Sequence, residues 1–133
     1  MATEITATFK DSIGITSKIA GALAEEKVNI LAGTGYAAGF MRRKATFNFI
    51  IEDFARAEKV LDDVGADDIQ EQSILLVQTP NRPGALERVT GIISKANINI
   101  YYFYATTSTS RTATSVIKTA NDRKALKVLQ KAR

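Results

Sequence analysis

Two stretches decide how this chain folds: DSIGITSKIAGALAEEKVNIL, Asp11 to Leu31, and NRPGALERVTGIISKANINIY, Asn81 to Tyr101. Laid over one another at an offset of 70, Gly14 meets Gly84, Gly21 meets Gly91, and Asn29-Ile30 meets Asn99-Ile100. Between them Lys18/Arg88, Ile19/Val89, Leu23/Ile93 and Val28/Ile98 keep their chemical type. Further along, the offset falls to 68: Arg43, Ala45 and Thr46 match Arg111, Ala113 and Thr114, and Ala57 with Lys59-Val60-Leu61 matches Ala125 with Lys127-Val128-Leu129. The change places a two-residue difference in the loop between, where insertions are tolerated. Order, spacing and apolar pattern agree, and the chain reads as a duplication.

Each copy has the pattern strand, helix, strand, strand, helix. Ile5, Ala7 and Phe9 alternate as a half-buried strand requires. Asp11 or Ser12 is expected to cap a helix whose Ile15, Ile19 and Leu23 form one stripe. That helix yields at Lys27 to a β-branched run, and a glycine-rich bend at Gly33, Gly35 and Gly39 follows. Ala45, Phe47, Phe49 and Ile51 then alternate in a strand. Asp53 is placed to cap a second helix, burying Phe54, Ala57, Val60, Leu61 and Val64 and closing near Gly65. A weak acidic strand, Asp67 to Gln72, completes the unit, and the second copy restarts from Ile74, with helices near Gly84–Lys95 and Asp122–Lys131.

The order βαββαβ specifies a ferredoxin-like unit, an antiparallel sheet with two helices on one face. The predicted architecture is α+β: two tandem ferredoxin-like repeats, residues 1–72 and 73–133. Arg133 aligns with Gly65, so the second repeat stops before its last strand. Either a strand arrives from another chain or a sheet edge stays open, which proteins normally avoid. A unit of this size buries only about 60% of its extended-chain surface. The two units are therefore expected to pack together, and a homodimer is expected.

Composition narrows the chemistry. The 133 residues include no His, Cys or Trp. Cys/His nucleophilic catalysis is thereby excluded, the common zinc sites lose their ligands, and no disulfide can form. No metal and no cofactor is called for. No apolar run approaches the roughly 18 residues of a membrane span, and MATEITATFKD lacks a signal-peptide core, so a cytoplasmic protein without membrane attachment is the expectation. The net charge of +4 hides an asymmetry: −4 over residues 1–72 and +8 over residues 73–133. The split falls on the repeat boundary and marks two modules of unlike surface.

D-S-I-G at Asp11–Gly14 and N-R-P-G at Asn81–Gly84 each lie between a strand and a helix. A glycine there turns backbone N–H groups toward a helix N-terminus, whose partial positive charge suits a carboxylate. Asn29 and Asn99, eighteen residues after Asp11 and Asn81, stand where the next strand begins and offer both a donor and an acceptor. Such a set fits an amino acid's carboxylate and ammonium. The same residues also serve as ordinary turn and cap residues.

The stretch SILLVQTPNRPGALERVTGIISKANINIYYFYA, Ser73 to Ala105, resembles an ACT domain, the small-molecule regulatory module of amino-acid metabolism, through its D/N-x-P-G-x-L and I-N-I pattern. Within that family it is most similar to the serine-sensing domain of phosphoglycerate dehydrogenase, whose N-R-P-G and later N-I have this spacing. The first repeat resembles the family more loosely, with Ile13 where proline is usual and Thr16 where leucine is usual. The resemblance implies paired modules with an amino acid bound between them. Asn81, Arg82, Gly84, Ala85 and Leu86 would come from one module and Asn99 or Asn29 from the facing one. Asp11, Gly14, Ile15 and Thr16 are the equivalent first-repeat set, with a carboxylate at Asp11 that would repel an anion. It further implies a non-catalytic regulator acting on a partner metabolic enzyme or regulator.

Rival signals are weaker. G-T-G-Y-A-A-G, Gly33 to Gly39, imitates a phosphate loop but is followed by a strand, RRKATFNFII, not by a helix, and reads as a hairpin or ligand-covering loop. Arg42, Arg43 and Lys44 read as a solvated strand start. Asp62, Asp63, Asp67 and Asp68 lack calcium-loop spacing. The alternative function is RNA or DNA binding through the basic second half, using Tyr101 to Tyr104 on a strand. It lacks the K/R-G-F-G-F-V signature, and alternation sends two of the four rings to each face. The basic residues Arg123, Lys124, Lys127 and Lys131 flank an apolar face of Ala125, Val128 and Leu129, the pattern of an ordinary amphipathic helix.

Overall fold

The computed structural model describes residues 1–38, 43–107 and 111–132, which form two compact units. One holds Thr3–Gln72 and the other Ser73–Arg133 together with Met1–Ala2. The elements of the first are β1 (Ala2–Lys10), α1 (Ile15–Glu25), β2 (Ile30–Ala38), β3 (Lys44–Ile51), α2 (Phe54–Val64) and the start of β4 (Asp68–Pro80). The second continues along β4 into α3 (Ala85–Lys95), β5 (Ile100–Thr107), β6 (Thr112–Thr119) and α4 (Asp122–Lys131). The fold is α+β and ferredoxin-like.

In the first unit the strand order is β2-β3-β1-β4. Ile5, Ala7 and Phe9 of β1 and Ala45 and Phe47 of β3 point to one core, which Ile19 and Leu23 of α1 and Ala57, Val60 and Leu61 of α2 close from the helical side. The second unit has the order β4-β6-β5, and its core is Leu75, Val89, Ile93, Ile98, Ile117 and Ala125. Both hairpins keep one register under the repeat offsets: Gly35 faces Phe47 as Ala105 faces Ser115. The strands inside them agree, with Phe9 opposite Ala45 and Thr79 opposite Ala113. The two-residue difference therefore lies between β2 and β3 on one side and β5 and β6 on the other, in tips that fall outside the described residues.

The helix joints repeat as well. Asp53 accepts from the Arg56 N–H at 3.1 Å, and Asn121 accepts from the Lys124 N–H at 3.1 Å. Arg56 Nη1 then donates to the Glu26 carbonyl at 3.3 Å and Lys124 Nζ to the Ala96 carbonyl at 3.1 Å. Each cation meets the negative end of the preceding helix, where the dipole favours it. Lys27 and Asn97, just past those ends, both adopt the left-handed region at φ 58° and 60°.

Three expectations change. The bend at Gly33 and Gly35 is strand: β2 runs straight through both, and Gly39 lies outside the described residues, as does Arg42. A Cβ at Gly33 would stand 2.6 Å from the Phe49 ring, and one at Gly35 would stand 2.7 Å from that of Phe47. These glycines make room for the stacked Phe47–Phe49 pair on the neighbouring strand. Secondly, the acidic strand and the strand beginning near Ile74 are one 13-residue strand, because no Gly, Pro or Asn interrupts it before Pro80. Thirdly, α1 has no side-chain cap from Asp11 or Ser12; its N-cap is Gly14, at φ 84°. Helix α4 is the last element among the described residues.

Candidate functional site

The two loops singled out by the sequence are built alike. Where β1 ends, the Asp11 N–H donates to the Arg43 carbonyl at 2.6 Å; where β4 ends, the Asn81 N–H donates to the Arg111 carbonyl at 2.7 Å. The Ile15 N–H then closes on the Ser12 carbonyl at 3.2 Å, and the Ala85 N–H on the Arg82 carbonyl at 3.3 Å. Gly14 and Gly84 turn the chain into each helix at φ 84° and 88°, a conformation that a side chain strains. A Cβ at either position would meet nothing within 4 Å, so the space in front of both corners is open. Backbone carbonyls make these turns, and among the described residues no side-chain cap bonds the start of α1 or α3. The first-turn donors, from Thr16 and Leu86 onward, face outward at the positive end of a helix dipole.

In the second unit a cavity of about 410 Å³ opens beside this corner. Arg82, Gly84 and Ala85 line one end, and Val77, Ile92 and Leu129 line the apolar remainder. Arg88 reaches across it to donate to the Ala132 carbonyl at 3.3 Å. Asn99 lies elsewhere, in a shallow depression with Glu87, Thr90 and Ser94. Asn81 precedes α3 and Asn99 follows it, and an 11-residue helix separates its ends by about 16 Å. One unit therefore does not bring the two asparagines together, and the same helical separation divides Asp11 from Asn29. Asn29 and Asn99 are exposed at the starts of β2 and β5, each the outermost strand of its unit. Ile15 packs against the first core, so only its backbone borders that loop.

Sequence reading did not anticipate Arg88, Ile92 and Leu129 as cavity residues. The signal was present in the repeat. Their counterparts are Lys18, Ala22 and Leu61, of which Ala22 and Leu61 belong to the first core together with Ala66 and Ile69. In the second unit Leu129, the counterpart of the fully buried Leu61, is half-buried and lines the cavity.

The electrostatics differ as well. At the start of α4, Asp122 accepts from Lys118 Nζ at 2.8 Å and from Thr119 Oγ1 at 2.7 Å and its N–H at 3.0 Å. Burial alone would raise its carboxyl, but these bonds outweigh burial and hold it below its ordinary value. Of the aromatic run, Tyr101 and Phe103 are exposed on β5, while Tyr102 and Tyr104 are half-buried.

Against known proteins, the match is confined to one unit. Residues 73–133 match the ACT domain. Among curated proteins no sequence matches the chain. Solved structures share the fold over nearly its whole length. A Bacteroides thetaiotaomicron protein superposes with a TM-score of 0.87 at 24% identity, covering 98% of this chain and 88% of that one. The ligand-free regulatory subunit of aspartate kinase from Thermus thermophilus gives 0.74 at 18% identity, covering 98% and 91%. The corresponding subunit from Thermus flavus gives 0.66 at 22%, covering 98% and 91%. The ACT match thus lies on the unit that carries N-R-P-G, and the likeness of fold extends across both. Among the described residues no helix is long and apolar enough to cross a membrane.

Proposed function

We propose that the chain is a tandem ACT protein, with residues 1–72 as a second, diverged module, and that it is a non-catalytic amino-acid-binding regulator. The observation that carries this reading is the pair of like-built corners at Gly14 and Gly84, each presenting uncapped helix donors to open space. An amino acid's carboxylate meets the donors after Gly84, with Arg82 beside them, and its ammonium meets the carboxamide oxygen of Asn99 or Asn29 from a facing module. The distance between Asn81 and Asn99 within a unit favours a ligand shared between modules. A homodimer supplies the facing module. The edge strands β2 and β5, with Leu31, Tyr36, Tyr101 and Phe103 exposed, offer surfaces for such pairing. Serine is the first ligand to try, because N-R-P-G and the later asparagine resemble the serine-sensing ACT pattern. Asp11 makes the first corner the poorer anion site.

Regulation follows from linkage: the ligand favours the module arrangement it binds better, and a partner enzyme or regulator reads that arrangement. The aspartate kinase subunits that share the fold are regulatory parts of an enzyme. The test is a thermal-shift screen of the intact protein against the twenty amino acids, with an RNA oligonucleotide as control. A ligand at 100 times its Kd adds about 2.7 kcal/mol of stability. Calorimetry on Asn81→Ala and Asn99→Ala is expected to show the affinity lost in both. Unchanged binding would refute the site, and an RNA shift that salt abolishes would favour the nucleic-acid reading.

A further inference from the structure

A carboxamide does not tell an amino acid from the hydroxy acid of the same skeleton. The side-chain oxygen of Asn29 or Asn99 accepts from an ammonium and equally from a hydroxyl. Discrimination between the two needs an anion beside the amine, whose charge the hydroxyl lacks. The two units differ at the place where such an anion would stand.

In the second unit the anion is Glu87. It sits in the first turn of α3, one turn ahead of Gly91 on the same helix face. A Cβ at Gly91 would stand 3.7 Å from Glu87 Oε1, so the missing side chain lets the carboxylate lie along the helix toward its C-terminal end. There Glu87 lines a depression of about 420 Å³ together with Ser94 and Asn99. Thr90, on the same rim, donates its hydroxyl to the Leu86 carbonyl at 2.9 Å and the Glu87 carbonyl at 3.2 Å, and so leaves the carboxylate alone. Among the described residues Glu87 forms no ion pair. The dipole of α3 favours an acid in this turn, but it would draw the carboxylate back to the free N–H groups after Gly84. The oxygen lies instead beside Gly91, which is about 10 Å along the helix axis from Gly84.

The first unit has the same frame without the anion. Asn29 corresponds to Asn99 and Gly21 to Gly91, but Ser17 stands for Glu87, and Ala20 and Ala24 stand for Thr90 and Ser94. A Cβ at Gly21 would meet nothing within 4 Å. Glu25 and Glu26 line a different depression, with Val60 and Asp63 of α2, which Asn29 does not border.

We propose that Glu87 is the specificity residue of the ligand site: its carboxylate supplies the counter-charge for the ligand's ammonium beside Asn99, so that the second unit takes amino acids in preference to the matching hydroxy acids. The inference rests on the amino-acid reading above and adds the group that would make the protein a reader of the amine.

The test is calorimetry on the intact protein with three amino acids and the hydroxy acids of the same skeleton: L-serine with L-glycerate, L-alanine with L-lactate, and L-phenylalanine with L-phenyllactate. The unaltered protein is expected to bind the amino acid of a pair about tenfold more tightly, the size of one charge-assisted contact. Glu87→Gln is expected to remove most of that preference by weakening the amino acid and leaving the hydroxy acid where it was. Glu87→Asp, one methylene shorter, is expected to keep part of it. Molar salt is expected to shrink the preference in the unaltered protein and to change it little in Glu87→Gln. If Glu87 served only as a first-turn acid of α3, its loss would lower the melting temperature or weaken both members of a pair together, and the preference would survive. A preference that survives Glu87→Gln therefore overturns this proposal while amino-acid binding stands. Failure of all three amino acids to bind the unaltered protein would overturn it together with the reading on which it rests.

Discussion

The two units place like residues at several equivalent core positions and reach different degrees of closure. Leu61 and Leu129, Val60 and Val128, and Ala57 and Ala125 are equivalent, on helices with like N-caps. In the first unit all three are sealed; in the second only Ala125 is. Burial is thus not a property of the leucine or of its helix but of whether a fourth strand lies beneath. The largest expected effect comes from breaking this comparison. Leu61→Ala leaves a cavity in a closed core and is expected to cost about 3–4 kcal/mol, whereas Leu129→Ala, already facing open space, is expected to cost about 1–2 kcal/mol. Urea unfolding of the two variants measures the difference. Equal losses would mean that the second unit is closed in solution.

Much of this was legible in the sequence. The order of elements, the Asp53 cap and the Gly65 stop follow from periodicity and from aligning the two halves of the chain. What was hidden depended on partners across the sheet. Gly33 and Gly35 read as a bend because glycine is rare in strands; only the rings of Phe47 and Phe49 opposite them explain why strand β2 needs them. The unbroken course of β4 was hidden because the repeat boundary suggested a break that no turn residue enforces. The corner residues of the candidate site were legible as a motif. The lining of the cavity was not, since it draws on β4, α3 and α4, residues far apart in sequence that only the fold brings together.

Next in size is a charge the first unit does not possess. Asp122 occupies the position of Phe54, and its carboxylate ties Lys118 and Thr119 to the start of α4. Its folded-state value lies below the ordinary 3.8, so the stabilisation is present above that value and is lost as pH falls through the folded one. Asp122→Asn is expected to cost about 2 kcal/mol at pH 7, a cost that shrinks once the pH falls below the ordinary carboxylate value and through the lowered folded-state one. Acid should accordingly loosen the second unit first, which hydrogen exchange at α4 and β6 against α2 and β3 would show. Simultaneous loosening would contradict that assignment.

The glycine corners sharpen the comparison from the opposite side, because here the units are built alike. Gly14→Ala and Gly84→Ala each force a side chain into the left-handed region at a cost of about 1–2 kcal/mol, with no steric term at either site. Equal losses are expected, unlike the leucine pair. A much larger loss at Gly84 would mean that something occupies the space in front of α3.

The smallest effect tests a contact confined to the first unit. Lys44 and Asp67 form an ion pair where β4 begins, both side chains nearly half exposed. An exposed pair is screened and contributes at most about 1 kcal/mol. Asp67→Asn should lower the midpoint slightly at low salt and not at all in molar salt. The Asp67 backbone bond to Thr8, untouched by that change, would still hold the strand in place. If the substitution instead opened Leu61 to exchange, the strand would depend on its charge rather than on Ala66 and Ile69.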